Sequence, residues 1–309
     1  MYTIKEAAAR TGLSVPVLRA WERRYGIVSP TRTAGGYRVY DDAALARLRS
    51  MRRLVADGWS PSTAAAAILS GTAPEAPDVA AAAPTPAAGV PAGAADAQVR
   101  HFSEAAARLD GPRVEAILDE MFAAGRYERV IADRVAPALR ALGDAWASGE
   151  LSVAGEHLAS HAVHRRLAAA FQAAGGTDAD GPPIPIGMPP GAHHELGALI
   201  FATAARRSGL PVVYLGADLP LDDWVAAVDR TAARAVVIGA LMNADGAAAR
   251  AVATGLRGVR PDILVAYGGA AAPEPEPAAA EAGLALRLPD DVAGAVDSLR
   301  EAVRRLPAA

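Results

Sequence analysis

The chain has 309 residues, room for two or three domains, with a formal net charge of −3 and no cysteine. That excludes disulfides, iron–sulfur clusters and thiolate zinc sites, and no apolar run of about 18 residues is present to cross a membrane. Aromatic residues make up only 5%, so the core must be mainly Ala, Val and Leu.

The charge is unevenly spread. Residues 1–53 hold eleven Lys and Arg side chains against four Asp and Glu, an excess of seven, which leaves the remainder at −10. A basic head on an acidic body points to a nucleic-acid partner for the head alone. The N-terminus has no basic start followed by an apolar stretch, so no signal peptide is expected and the location is read as cytoplasmic.

In chain order, residues 1–71 read as a winged helix-turn-helix. Thr3 is placed to cap a first helix, Thr11-Gly12 to turn, and Ser14 to cap a second helix with Pro16 in its first turn. Arg19, Arg23 and Arg24 share a broad face of that second helix, while Val17, Leu18 and Trp21 are expected to pack inward. The next segment reads as a two-stranded wing turning at Gly35-Gly36, with Arg32, Tyr37, Arg38 and Tyr40 as further contacts. Arg and Tyr hydrogen-bond phosphates and fix register, while base choice rests on a few side chains of the recognition helix. "LRAWERRYG" and "GYRVY" make this head resemble the MerR family of winged-helix regulators, in particular its light- and cobalamin-responsive branch.

Residues 72–97 are rich in proline and alanine with almost no large apolar residue, the composition of an extended, disordered linker. Typical MerR proteins dimerise through a long helix straight after the head. Here the helix from Pro61 ends near Gly71, so self-association, as dimer or tetramer, is expected from the C-terminal half.

Residues 98–176 have helical periodicity and read as a helical bundle, with helices near 102–109, 114–124, 127–147 and 153–174. Pro137 should kink or break the third. The segment "DAWASGELSVAGEHLASHAVHRRL" places Glu156 and His157 after Trp146 and continues with His161 and His164 on the same helix face as His157. By themselves His161 and His164 read as a solvated polar stripe.

Residues 181–309 change character. The runs "PIPIG", "PVVYLG", "AVVIGAL", "ILVAYGG" and "LALRL" alternate with alanine-rich helical segments. That pattern predicts a parallel, Rossmann-like (flavodoxin-like) α/β domain buried on both faces. The whole is thus a multidomain α and α/β protein. Two of its six histidines, His193 and His194, sit in a Pro/Gly loop directly after the first strand. There they could hold a metal, do acid–base chemistry or cap the following helix. The carboxyl edge of such a sheet is where ligands bind, and imidazole suits late first-row metals. Gly197 would let a ligand pass close to the backbone.

This half resembles the cobalamin-binding module shared by methionine synthase and the CarH/LitR photoreceptor regulators, a four-helix bundle over a Rossmann-like domain. The family motif is acidic-x-His-x-x-Gly, then a Ser-x-Leu segment, then Gly-Gly. His194 and Gly197 match the first, Ala240-Leu241 sits at the second without its serine, and Gly268-Gly269 matches the third. Trp146, Glu156 and His157 match the Trp-x9-Glu-His of the photoreceptor branch. The resemblance implies His194 as lower axial ligand of cobalt, with the nucleotide tail beside Gly197. It implies Trp146, Glu156 and His157 over the upper face, and His193 as a loop neighbour.

Two positions depart from the family. The acidic residue is Ala192, which predicts a less basic axial imidazole unless another group substitutes. The histidine that follows the tryptophan in the photoreceptor branch is Ala147, so the usual bis-histidine light product is not expected. The resemblance implies a non-enzymatic transcriptional regulator, a repressor of a double-stranded operator controlled by adenosylcobalamin and light. The alternatives are a light-independent cobalamin sensor, a vestigial module, a cobalamin-dependent enzyme subunit, or a regulator holding a second tetrapyrrole such as a bilin.

Overall fold

A computed structural model describes residues 1–13, 15–32, 38–56, 61–71, 92–175 and 181–307. The chain divides into two units, Met1–Arg166 and Leu167–Ala309.

In the first unit the basic segment folds as a winged helix-turn-helix. β1 (Tyr2–Thr3) leads into α1 (Ile4–Thr11). Thr3 and Glu6 form a reciprocal capping box at its start, and Gly12 ends it in the left-handed conformation at φ 65°. α2 (Val15–Tyr25) follows, then β2 (Thr31–Arg32) and β3 (Arg38–Tyr40). The expected two-stranded wing is a three-stranded sheet in the order β1-β3-β2, because β1 also pairs antiparallel with β3. α3 (Asp42–Ala56) and α4 (Pro61–Leu69) complete the head. Leu18, Trp21, Ile27, Tyr40, Leu45, Leu48 and Met51 form its buried core, whereas Val17 is only half-buried. The Ser14 cap, the Gly35-Gly36 turn and residues 72–91 of the expected linker lie outside the described residues.

α5 (Ala92–Ala107) begins inside the stretch that composition assigns to the linker. Alanine is the best helix former, so the low hydrophobic bulk of residues 92–97 is no bar to helix. α6 (Gly111–Phe122) is capped by Asp110, with Pro112 in its first turn. The third helix is interrupted as Pro137 predicts: α7 (Tyr127–Val130) runs into a π-helical turn, Ile131–Val135, before α8 (Ala136–Ala147). A proline ring clashes with the carbonyl four residues back and supplies no N–H. The wider turn, closed by the Ala136 N–H on the Ile131 carbonyl, accommodates both. α9 (Val153–Ala173) is the fourth bundle helix. It lies close to α5 at Gly155, where a Cβ would come within 2.7 Å of the Ala106 carbonyl oxygen.

The second unit is an α/β domain. Its strands are β4 (Ile184–Gly187), β5 (Val212–Gly216), β6 (Ala235–Gly239), β7 (Leu264–Gly268) and β8 (Ala285–Arg287). They form one parallel sheet in the order β5-β4-β6-β7-β8. Between and after them come α10 (Leu196–Arg207), α11 (Leu221–Thr231), α12 (Asn243–Val259), α13 (Pro277–Glu281) and α14 (Val292–Arg305). α10 packs with α14, and α11 with α12. Residues of β6 and β7 are almost wholly buried between such layers, which is why they read as unbroken apolar runs. The order is flavodoxin-like: the first strand lies between the second and third, so the chain reverses direction across the sheet at β4/β6.

Candidate functional site

Arg19 and Arg23, two of the arginines expected to face DNA, are exposed on α2. The side chains of Arg24 and Arg32, and all of Tyr37, lie outside the described residues. Tyr40 requires correction as a DNA contact, because its ring is fully buried. Its hydroxyl donates to Glu22 Oε2 at 3.0 Å, and Arg38 Nε donates to Glu22 Oε1 at 3.0 Å. Glu22 therefore ties the wing strand to the recognition helix, a role the sequence analysis did not assign. Burial, with the Glu22 carboxylate, pushes the Tyr40 phenol far above its ordinary range and keeps it a donor. Arg38 remains partly exposed, with 37% of its side chain accessible. Arg52 donates to the Thr11 carbonyl at 2.8 Å and so caps the end of α1.

In the bundle, Trp146 lies in the last turn of α8 with 53% of its surface exposed, unusual for so large an apolar side chain. Glu156 falls in the first turn of α9, where it favourably faces the helix dipole. Its carboxylate accepts from Ser160 Oγ and lies 3.7 Å from His157 Nε2. His157 and His161 have ring centroids 6.0 Å apart, both on the exposed side of α9.

In the α/β domain, the loop after β4 contains both histidines, each exposed, and among the described residues neither imidazole has a hydrogen-bond partner. They do not cap α10, whose N-cap is Glu195 and has no side-chain cap bond. Gly197 lies in the first turn of α10, and a Cβ there would meet nothing within 4 Å. On the other side of the reversal point the loop after β6 is knitted to the loop after β7. The Ala240 N–H donates to the Gly268 carbonyl at 2.8 Å, and the Ala271 N–H to the Ala240 carbonyl at 3.1 Å. Gly269, at φ 103°, is required there, since a Cβ would stand 2.3 Å from the Ala240 oxygen. Ala240 is buried, whereas Leu241 and the neighbouring Met242 are exposed at 44% and 52%.

Sequence reasoning missed three further residues of this edge. Asp245, 5% exposed, accepts the Leu241 and Met242 N–H groups at 3.0 and 2.8 Å and so shapes the start of α12. Its signal was an acidic residue three positions into a helix start. Tyr214 donates its hydroxyl to Glu195 Oε2 at 2.7 Å, and burial, with that carboxylate, holds the phenol well above its ordinary value. Asp218 Oδ1 accepts the Gly191 N–H at 2.7 Å.

The donor chemistry of this edge selects among ligands. No group of three or more His, Asp or Glu side chains placed to hold a metal occurs among the described residues. A lone imidazole cannot hold a bare ion, but it suits a metal that arrives with its other donors already in place, as cobalt does in a corrin. The exposed His194 imidazole, with open space at Gly197 beside it, fits such a group in its donor chemistry. Among the described residues no helix is long and apolar enough to cross a membrane.

Comparison with known proteins agrees with this layout. Residues 2–70 match the MerR HTH family of regulatory proteins, and residues 98–170 and 184–293 each match a B12 binding domain. The chain is 33% identical over 246 residues to the HTH-type transcriptional repressor CarH of Myxococcus xanthus, covering 74% of each chain. It is 32% identical over 219 residues to the repressor CarA of the same organism, covering 70% of this chain and 68% of that one. Among solved structures, the monomethylamine corrinoid protein of Methanosarcina barkeri superposes with a TM-score of 0.52 at 17% identity. That match covers 65% of this chain and 95% of the other, a likeness of fold.

Proposed function

The chain belongs to the CarH/CarA family of MerR-type transcriptional regulators with B12 binding domains, and from that premise we propose that it is a repressor whose hold on its operator is set by adenosylcobalamin and by light. It is a DNA-binding, cobalamin-dependent regulator and not an enzyme.

The observation that carries the finer reading is the exposed His194 imidazole at the reversal point of the sheet, without a hydrogen-bond partner among the described residues. His194 would ligate cobalt. Gly197 would leave space for the nucleotide tail, and Ala240, Leu241, Gly268 and Gly269 would line the neighbouring strand ends. Trp146, Glu156 and His157 would be the bundle's own contacts to the cofactor, Trp146 through the apolar surface that it exposes. When bound, adenosylcobalamin supplies a cobalt–carbon bond that light can break. A ligand controls oligomer state and operator affinity only through its different affinity for the two states. The dark, liganded form would then be the dimer or tetramer, assembled through the C-terminal half. Its paired heads would hold operator DNA through Arg19, Arg23, Arg24, Arg32, Tyr37 and Arg38, in the cytoplasm.

Ala147 supports a second reading, a cobalamin sensor indifferent to light, because the position after Trp146 has no imidazole to offer. The deciding experiment is an absorption spectrum of the protein reconstituted with adenosylcobalamin in the dark and after green light, with His194→Ala alongside and operator retardation under both conditions. A corrin spectrum that depends on His194, with DNA released on illumination, is expected. Light-insensitive DNA binding would leave the sensor reading standing; no corrin in the purified complex would remove both. A long-wavelength band after addition of a bilin would establish a second tetrapyrrole.

A further inference from the structure

Position 192, where the family has a carboxylate, is an alanine, yet the histidine loop is firmly held. The end of β5 and the loop after it grip it by four hydrogen bonds. The Met188 N–H donates to the Gly216 carbonyl at 2.9 Å, and the Leu219 N–H to the Met188 carbonyl at 3.1 Å. The Asp218 N–H donates to the Ala192 carbonyl at 3.0 Å, and Asp218 Oδ1 accepts the Gly191 N–H at 2.7 Å. On the far side of the histidines, Tyr214 of β5 holds Glu195. The two imidazoles thus ride on a two-residue span between anchors that both belong to the edge strand and its loop.

Asp218 is the unusual member. It is a non-glycine residue at φ 53°, a region that Asp and Asn tolerate better than most side chains but that still costs free energy. It is held there by both of its bonds to the histidine loop, the pattern expected where surrounding structure over-determines a strained residue.

We propose that Asp218 is the positioning residue for His194, fixing from the neighbouring loop the backbone that carries it. A carboxylate at 192 would act on the imidazole itself. Asp218 acts on the backbone of Gly191 and Ala192, so it fixes where the ring stands rather than how basic it is. The proposal rests on His194 being the cobalt ligand, and its test separates the two claims.

The test compares Asp218→Asn, Asp218→Gly and Asp218→Ala. Asparagine accepts the left-handed backbone and keeps an oxygen for the Gly191 N–H. Glycine accepts the backbone without the acceptor, and alanine is tolerated at φ 49° elsewhere in this chain, at Ala232. Glycine loosens and alanine strains the backbone, so an effect common to both belongs to the lost acceptor. The first readout needs no cofactor: amide hydrogen exchange of residues 191–195 in the unliganded full-length protein. Loss of one charge-assisted bond should speed exchange roughly tenfold in the glycine and alanine variants and leave asparagine close to the parent. The second readout is the fraction of bound cobalamin showing a histidine-ligated spectrum, with His194→Ala as the zero reference. It should fall in the same two variants and be restored by asparagine.

Parent-like exchange and spectra in all three variants would overturn the proposal, and so would equal losses in all three, since the acceptor would then not be what matters. If the parent spectrum already matches His194→Ala, the ligand assignment fails instead, and the exchange contrast alone decides whether Asp218 holds the loop.

Discussion

His194 and Gly269 lie at ends of the same sheet edge, and substitution at each should fail differently. His194 is exposed and, among the described residues, has no hydrogen-bond partner. His194→Ala should leave urea unfolding of the unliganded protein within about 0.5 kcal/mol of the parent, as surface changes do, while removing the histidine-dependent corrin spectrum. Gly269 is a backbone requirement: its φ is 103° and a Cβ would press on the Ala240 oxygen at 2.3 Å. Gly269→Ala should therefore cost at least about 1–3 kcal/mol in the same unfolding experiment. A neutral Gly269→Ala would show that the loops after β6 and β7 part freely. Trp146 belongs with His194, since truncating a side chain that is 53% exposed removes little core packing. Its loss should register in cobalamin retention rather than in stability.

At the scale of elements, arginines of the head divide into those that build it and those that face outward. Arg52 ends α1 through the Thr11 carbonyl, whereas Arg23 lies exposed on α2. Arg52→Ala should lower the head's thermal midpoint, with DNA affinity following as a consequence. Arg23→Ala should leave the midpoint in place and weaken DNA binding directly. Comparing melting with operator titration of both variants tests the division. The bundle has its own electrostatic joint, where Glu115 of α6 accepts from Arg165 and Arg166 of α9 and Asp119 accepts from Arg166. Burial alone would raise the Glu115 carboxyl, but the two arginines outweigh it and hold it below its ordinary value of 4.5. A depressed carboxylate stabilises the fold above that value, and the contribution is lost as pH falls through the lowered one. The midpoint of thermal unfolding should thus fall as pH drops below the ordinary carboxylate value of 4.5, with a shallower fall in Glu115→Gln. An identical slope in both would show that this joint adds nothing.

For the whole molecule, the separation of a basic head from an acidic body has a direct consequence for DNA binding. Phosphate contacts release counterions, so operator affinity should fall steeply with salt, and removing one phosphate-contacting arginine such as Arg19 should reduce the slope by about one. A salt-insensitive affinity would remove the phosphate role assigned to the recognition helix. The body, carrying −10 by sequence, has no reason to bind DNA itself. Its contribution to the operator complex would come through assembly, and light-scattering mass with and without adenosylcobalamin in the dark measures that directly.

The sequence by itself determined the broad division into basic head, helical bundle and α/β domain, because periodicity and turn chemistry are local. All five strands of the α/β domain and the break at Pro137 were legible as apolar runs, helical spacing and a missing N–H. It also placed His194 after the first strand, through a motif confined to a few consecutive residues. What the tertiary structure decided are pairings across long separations. Tyr40 alternates like a wing contact in the sequence, and only the approach of α2 makes it a core residue bound to Glu22. Ala192 reads as a lost carboxylate until strand order places the loop of β5 beside that of β4 and brings Asp218, 27 positions from Gly191, to the same backbone. No local pattern encodes such a contact, because the register of a parallel sheet is set by packing on both of its faces and not by neighbours along the chain.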